Sequence, residues 1–158
     1  MFAAAAVAAF AFASTAQAAD VTESVAGQDL VNIMQEVGYT ATLGTDNQGD
    51  PMVQGTIQNI GYTLYFYRCD QSSPKKCLDL QFHAEFSFGQ PATLDQVNAY
   101  NTNNRFGQAF IDAAGNVGLD MSATVQGGVT RQNLKEVIDW WKTALTSFEQ
   151  KLLHPEAQ

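Results

Sequence analysis

The sequence predicts an α+β fold: an antiparallel sheet with helices packed mainly on one face, in the order α-β-β-β-β-α-β-β-α. Three patterns carry this reading. Between Cys77 and Phe88, the apolar residues Leu78, Leu80, Phe82, Ala84, Phe86 and Phe88 alternate with Asp79, Gln81, His83, Glu85 and Ser87, the period of a half-buried strand. From Leu134 onward, Val137, Ile138, Trp141, Leu145, Phe148 and Leu152 fall on one helical stripe. The stretches DNQGDP (46–51) and Asp112-Ala113-Ala114-Gly115 concentrate the residue types that make turns.

The other elements follow in chain order. Leu30, Ile33, Met34 and Val37 recur at helical spacing, which predicts a first helix over Gly27 to Val37, ended at Gly38. Strands are expected over Tyr39 to Thr45, Met52 to Asn59, Tyr62 to Cys69 and Cys77 to Phe88, with Gly61 marking the turn between the second and third. Thr93 and Gln96 form a capping box that opens a second helix through Asn103. Phe106 to Asp112 and Asn116 to Gln126 then form a hairpin. Gly127 and Gly128 break its second strand, and Thr130 caps the last helix.

No residue from Met1 to Ala19 is charged, and the apolar run AAAAVAAFAFA has the length of a signal-peptide core, too short to span a membrane. Ala16, Gln17 and Ala18 supply the small-x-small pattern of a cleavage site, so cleavage is expected between Ala18 and Ala19. Residues 1–18 are thus read as a signal peptide, 19–153 as one domain and 154–158 as a flexible tail. The expected location is outside the cytoplasm, periplasmic or secreted. Sixteen acidic residues against eight basic ones give a net charge of −8. That field disfavours phosphate backbones and anionic lipid surfaces, and no later apolar run is long enough for a membrane span.

The two cysteines test the strand register. In an oxidising compartment a lone pair is expected to bond, and the seven residues between Cys69 and Cys77 fit neither a redox C-x-x-C nor a zinc knuckle. If Cys69 faces Cys77 across an antiparallel pair, Leu64 faces Phe82 and Phe66 faces Leu80, while Thr63, Tyr65 and Tyr67 face His83, Gln81 and Asp79. A slip of one residue would scatter this segregation, so disulfide and hydrophobic pattern demand the same register. Closing so short a loop contributes about 2 kcal/mol in the chain-entropy model.

Candidate site residues are few. Asn98, Asn101 and Asn104 lie three apart beside Arg105 and could present amides next to a guanidinium, although helix capping accounts for the same pattern. His83 stands between Asp79 and Glu85, but side chains two apart on a strand are about 7 Å apart and cannot alone close a metal shell. Neither a Ser-His-Asp arrangement nor a nucleotide-binding motif is present, and no cofactor, metal or catalytic residue is assigned. Tyr65 and Tyr67, opposite Leu64 and Phe66, and Trp140, off the stripe that contains Trp141, are candidate partner-binding aromatics.

Four strings in order, FYRC (66–69), LQFHAEF (80–86), NRFGQAFID (104–112) and QGGVT (126–130), make the chain resemble the YbjN family of bacterial sensory transduction regulators. The resemblance implies a fold like that of type III secretion chaperones, small α+β domains that dimerise and hold protein segments. It also marks Asn98, Asn101, Asn104, Arg105, Gly107 and Asp112 as family-motif or ligand residues. The expected function is a non-enzymatic exported binding or regulatory module acting through protein–protein contacts, with an unidentified protein or a second copy as partner. The competing reading is a small-ligand sensor or hydrolase using a cleft near Arg105. Intact-mass measurement on material from the cell envelope should give a chain beginning at Ala19. A retained Met1 there would contradict export.

Overall fold

The computed structural model describes residues 20–86 and 92–153. The expected signal peptide with its junction at Ala18 and Ala19, the strand end at Ser87 and Phe88, and the tail from His154 lie outside the described residues. Six strands form one sheet: β1 (Thr42–Thr45), β2 (Pro51–Ile57), β3 (Ile60–Tyr67), β4 (Asp79–Phe86), β5 (Gln108–Ile111) and β6 (Val117–Thr124). Three helices accompany them: α1 (Gly27–Glu36), α2 (Leu94–Asn103) and α3 (Arg131–Phe148), the last continuing into a π-helical turn over Glu149–Leu153. The sheet runs β1-β2-β3-β4-β6-β5 and is antiparallel throughout.

The expected register is present residue for residue in the β3–β4 pair: Leu64 faces Phe82, Phe66 faces Leu80, Tyr65 faces Gln81 and Tyr67 faces Asp79. Cys69 and Cys77 are joined by a disulfide just beyond the ladder, with their Cα atoms 3.9 Å apart. The period-two rule then sorts the sheet into two faces. Leu64, Phe66, Leu80, Phe82, Val53 and Leu119 point inward and are fully buried. Trp141 of α3 lies on Phe82 with ring centroids 5.5 Å apart, and Phe148 meets Phe86 at 5.6 Å and the edge of Tyr100 at 5.7 Å. Leu30, Ile33 and Met34 of α1 complete this layer. Tyr100 reaches through it to donate a hydrogen bond to the Ala144 carbonyl, and burial pushes its phenol up to about 12.

The helix starts rest on side-chain caps that satisfy otherwise free backbone N–H groups. Thr93 accepts from the Gln96 N–H while Gln96 accepts from the Thr93 N–H. Thr130 and Asn133 do the same for α3. At the far end of α1, Glu36 takes hydrogen bonds from Lys135 and Arg131 of α3, which hold its carboxyl down to about 2.

Three details differ from the sequence reading. The turn between β2 and β3 lies at Gln58 and Asn59, both with positive φ, and not at Gly61, which sits in β3 opposite Thr56. A tight hairpin needs left-handed backbone at both central positions, and Asn tolerates it. β1 begins at Thr42 rather than Tyr39, because Tyr39 and Thr40 close the loop after α1, the Tyr39 N–H bonding to the Met34 carbonyl. Two short bridges, Val21–Thr22 with Val129–Thr130 and Val25–Ala26 with Lys76–Cys77, were invisible because two residues carry no periodicity.

Trp141 is fully buried, yet its indole Nε1 meets no hydrogen-bond partner among the described residues. An orphan buried donor is costly. Trp141→Ala should therefore lose about 3–5 kcal/mol through the cavity, whereas Trp141→Phe, which keeps a ring on Phe82 and removes the orphan, should lose less than about half of that. Urea unfolding measures both. Equal losses would mean that the indole N–H is itself required.

Candidate functional site

The helices lie on the inner side of the sheet, and the described residues place no second layer on the other side. That outer face carries Met52, Gln54 and Thr56 of β2; Thr63, Tyr65 and Tyr67 of β3; Asp79, Gln81, His83 and Glu85 of β4; and Asp120, Ser122 and Thr124 of β6. None of these side chains is buried. Tyr67 is 42% exposed, so the described chain leaves much of its ring open to solvent.

Cross-strand hydrogen bonds knit the face together. The Tyr67 hydroxyl donates to Gln81 Oε1 at 2.8 Å, and Gln81 Nε2 donates to Asp120 Oδ2 at 3.0 Å. His83 Nδ1 lies 2.7 Å from Asp120 Oδ1, and because an ionised carboxylate can only accept, Nδ1 carries the hydrogen. The other ring nitrogen, Nε2, then faces Glu85 Oε2 at 3.9 Å. Phe110 of β5 folds its ring across Gly118, where a Cβ would collide with it, and stacks near His83 at 6.0 Å. Partial desolvation, then the neighbouring Tyr65, Asp120 and Asp46, raise the Tyr67 phenol above its usual range. At the disulfide end, Arg68 grips both oxygens of Asp79 and donates to Gln126 Oε1 at 2.7 Å, holding the Asp79 carboxyl below its usual range.

A groove runs along the β6 edge of the sheet, about 680 Å³ in volume, lined among others by Arg105, Phe106, Met121, Ala123, Val137 and Trp140. Trp140 is 44% exposed, and its ring stacks on Phe106 at 5.1 Å with the planes 6° apart. Arg105 points into this groove region and forms no ion pair among the described residues.

The asparagines do not converge on a common ligand. Asn101 donates to the Ala109 carbonyl at 3.0 Å and accepts from the Ala109 N–H at 2.8 Å, so its amide pairs with the outer edge of β5 as a strand would. Asn104 ends α2 in extended conformation; its Nδ2 donates to the Tyr100 carbonyl, and its Oδ1 accepts from Ser147 and Lys151. Asn98 lies exposed, its carbonyl accepting from Thr102 Oγ1. Asp112 organises the β5–β6 turn through the N–H groups of Ala114 and Asn116. Gly107, with φ of 73°, turns the chain toward α3, where a Cβ would press on Leu119 and Ala144.

Asp120 and Phe110 were missed as partners of His83. Sequence reasoning looked for carboxylates along β4, at Asp79 and Glu85, while the one that bonds the imidazole comes from the next strand. Extending the alternation argument to Val117–Val125 against β4 would have set Asp120 opposite His83, where it stands. Among the described residues no group of three or more His, Cys, Asp and Glu side chains is arranged to hold a metal. None of the described helices is long and apolar enough to cross a membrane.

A one-sided antiparallel sheet with a hydrogen-bonded outer face and an edge groove defines the class: a small α+β domain whose exposed features are surfaces. Residues 28–154 match the model of the YbjN family, described as putative bacterial sensory transduction regulator, and the chain belongs to that family. None of the curated proteins matches it.

The Asn101 contact can be tested directly. Asn101→Ala should leave the Ala109 N–H and C=O without partners, costing about 1–3 kcal/mol, and should speed amide exchange at Ala109. Unchanged exchange there would show that the clamp contributes nothing.

Proposed function

We propose that this chain is an exported, non-enzymatic binding module of the YbjN type that works through protein–protein contacts made by the outer face of its sheet, with self-association as one such contact. The observation that carries the reading is the six-stranded sheet with its helices confined to one side, which leaves Tyr65, Tyr67 and Met52 facing outward. Sheets bury a face when another layer is available. Aromatics with a polar tip are the side chains that interfaces favour. The hydrogen bonds that tie Tyr67 to Gln81, and Gln81 to Asp120, hold the surface in one arrangement, which lowers the ordering cost of docking.

The family description, a sensory transduction regulator, supports a regulatory role. For an exported chain of net charge −8, regulation through contact with another protein agrees with the electrostatics better than action on nucleic acid.

Replacing Tyr65 and Tyr67 together with Glu should favour monomer, because like charges brought together at a symmetry axis and stripped of water cost several kcal/mol. Analytical ultracentrifugation of the unmodified and doubly substituted chains reads this. A monomer for the unmodified chain at high micromolar concentration would contradict self-association through this face.

A further inference from the structure

Among the described residues, half of the β6 edge is unpaired. β5 pairs only with the first half of β6, from Ile111 opposite Val117 to Gln108 opposite Asp120. Gly107 then carries the chain out of the sheet plane toward α3, so Phe106 stacks on Trp140 instead of continuing the ladder. The second half, Met121–Thr124, has β4 on one side and, among the described residues, no strand on the other.

Antiparallel pairing dictates where its backbone groups point. The Val125 N–H bonds to the Leu78 carbonyl, in register with the β4–β6 ladder. Ala123 and Met121 therefore also turn their backbone groups to β4, and Ser122 and Thr124 turn theirs outward. Both residues are exposed. The contrast with β5 is informative: there the outward-facing Ala109 backbone is closed off by the side-chain amide of Asn101. Folded domains usually blunt such edges, and here one half is blunted while the other is open.

The open half lies in the groove already described, and its lining specifies the occupant. Side chains directly opposite each other across an antiparallel pair share a face. Residues facing Met121 and Ala123 would therefore lie on the inner side, over Val137 and Trp140, where apolar groups belong. Arg105 brings a cation with no ion-pair partner among the described residues, and the groove's carboxylate, Asp120, is already engaged by His83 and Gln81. In a chain of net charge −8 this is a local site for a carboxylate. The position is also narrow. A second copy docking its own Met121–Thr124 here would bring the residues after Thr124 against Gln108, whereas a segment whose paired stretch stops opposite Met121 avoids it.

We infer that the Met121–Thr124 edge is a strand-addition site for one extended segment of a partner protein, with apolar side chains on Trp140 and Val137 and an acidic side chain at Arg105. The inference rests on the binding-module reading but uses a different surface from Tyr65 and Tyr67.

The test uses the ¹⁵N-labelled full chain and a synthetic peptide of alternating valine and glutamate. Three controls accompany it: the valine–lysine counterpart, a version N-methylated at alternate amides in both registers, and the Arg105→Glu and Trp140→Ala variants. The site predicts slowed exchange and shifted resonances at the Ser122 and Thr124 amides, loss of binding on N-methylation, and weakening by about tenfold or more in Arg105→Glu. Trp140 is half exposed, so its replacement should weaken binding without unfolding the chain. Absence of binding at millimolar peptide, equal binding of the lysine peptide, or shifts confined to Leu43 and Thr45 on the opposite edge would overturn the site. Sedimentation of the Tyr65→Glu, Tyr67→Glu chain in parallel separates the two ideas. A dimer lost there with peptide binding intact places the failure or success of each surface independently.

Discussion

The antiparallel register of β3 on β4 is the constraint from which the rest of the molecule follows. Because side chains alternate, setting Leu64 opposite Phe82 and Phe66 opposite Leu80 commits every other residue of both strands to a face. One face becomes the apolar floor that receives Trp141 and Phe148, and the other becomes the row of Tyr65, Tyr67, Gln81 and His83. The Cys69–Cys77 disulfide clamps the loop end of the pair, just beyond Tyr67 and Asp79, and the Arg68–Asp79 ion pair lies beside it. A shift of one residue in β3 would move Leu64 and Phe66 into water and Tyr65 and Tyr67 into the core, a loss of several kcal/mol.

This one-sidedness also explains why polar chemistry is confined to the surface. No polar or charged residue is buried among the described residues, so the inner layer is held by packing together with the hydroxyls of Tyr62 and Tyr100, which reach backbone carbonyls from within it. The asparagines around the end of α2 serve that layer as well. Asn101 ties α2 to β5, and Asn104 ties α2 to the end of α3. Arg105 faces outward and, among the described residues, forms no ion pair, which sets it apart from Asn101 and Asn104.

The legible part of the structure was the part with a period. Alternation over Leu80–Phe86 and the stripe from Leu134 to Phe148 are repeated signals, and a disulfide supplied the one long-range distance needed to join two strands. The capping pairs at Thr93 and Thr130 were readable because they are local. The candidate site was legible in its components, Tyr65, Tyr67, Trp140 and Arg105, but not in its assembly. The Asp120 carboxylate reaches His83 across a strand boundary separated by dozens of residues, and the Phe106–Trp140 stack joins two elements whose proximity depends on the exit angle at Gly107. Such contacts follow from tertiary geometry, which single-sequence patterns do not encode.

The central claim is that the outer face of the sheet is a contact surface held ready by its own hydrogen bonds. Hydroxyl-radical footprinting with mass spectrometry addresses it most directly, comparing the protein dilute and purified with the same protein in the intact cells that produce it. The account predicts that Tyr65 and Tyr67 become protected in the cells while the exposed Thr143 region of α3 stays equally reactive. Equal labelling of both tyrosines in the two settings would contradict it.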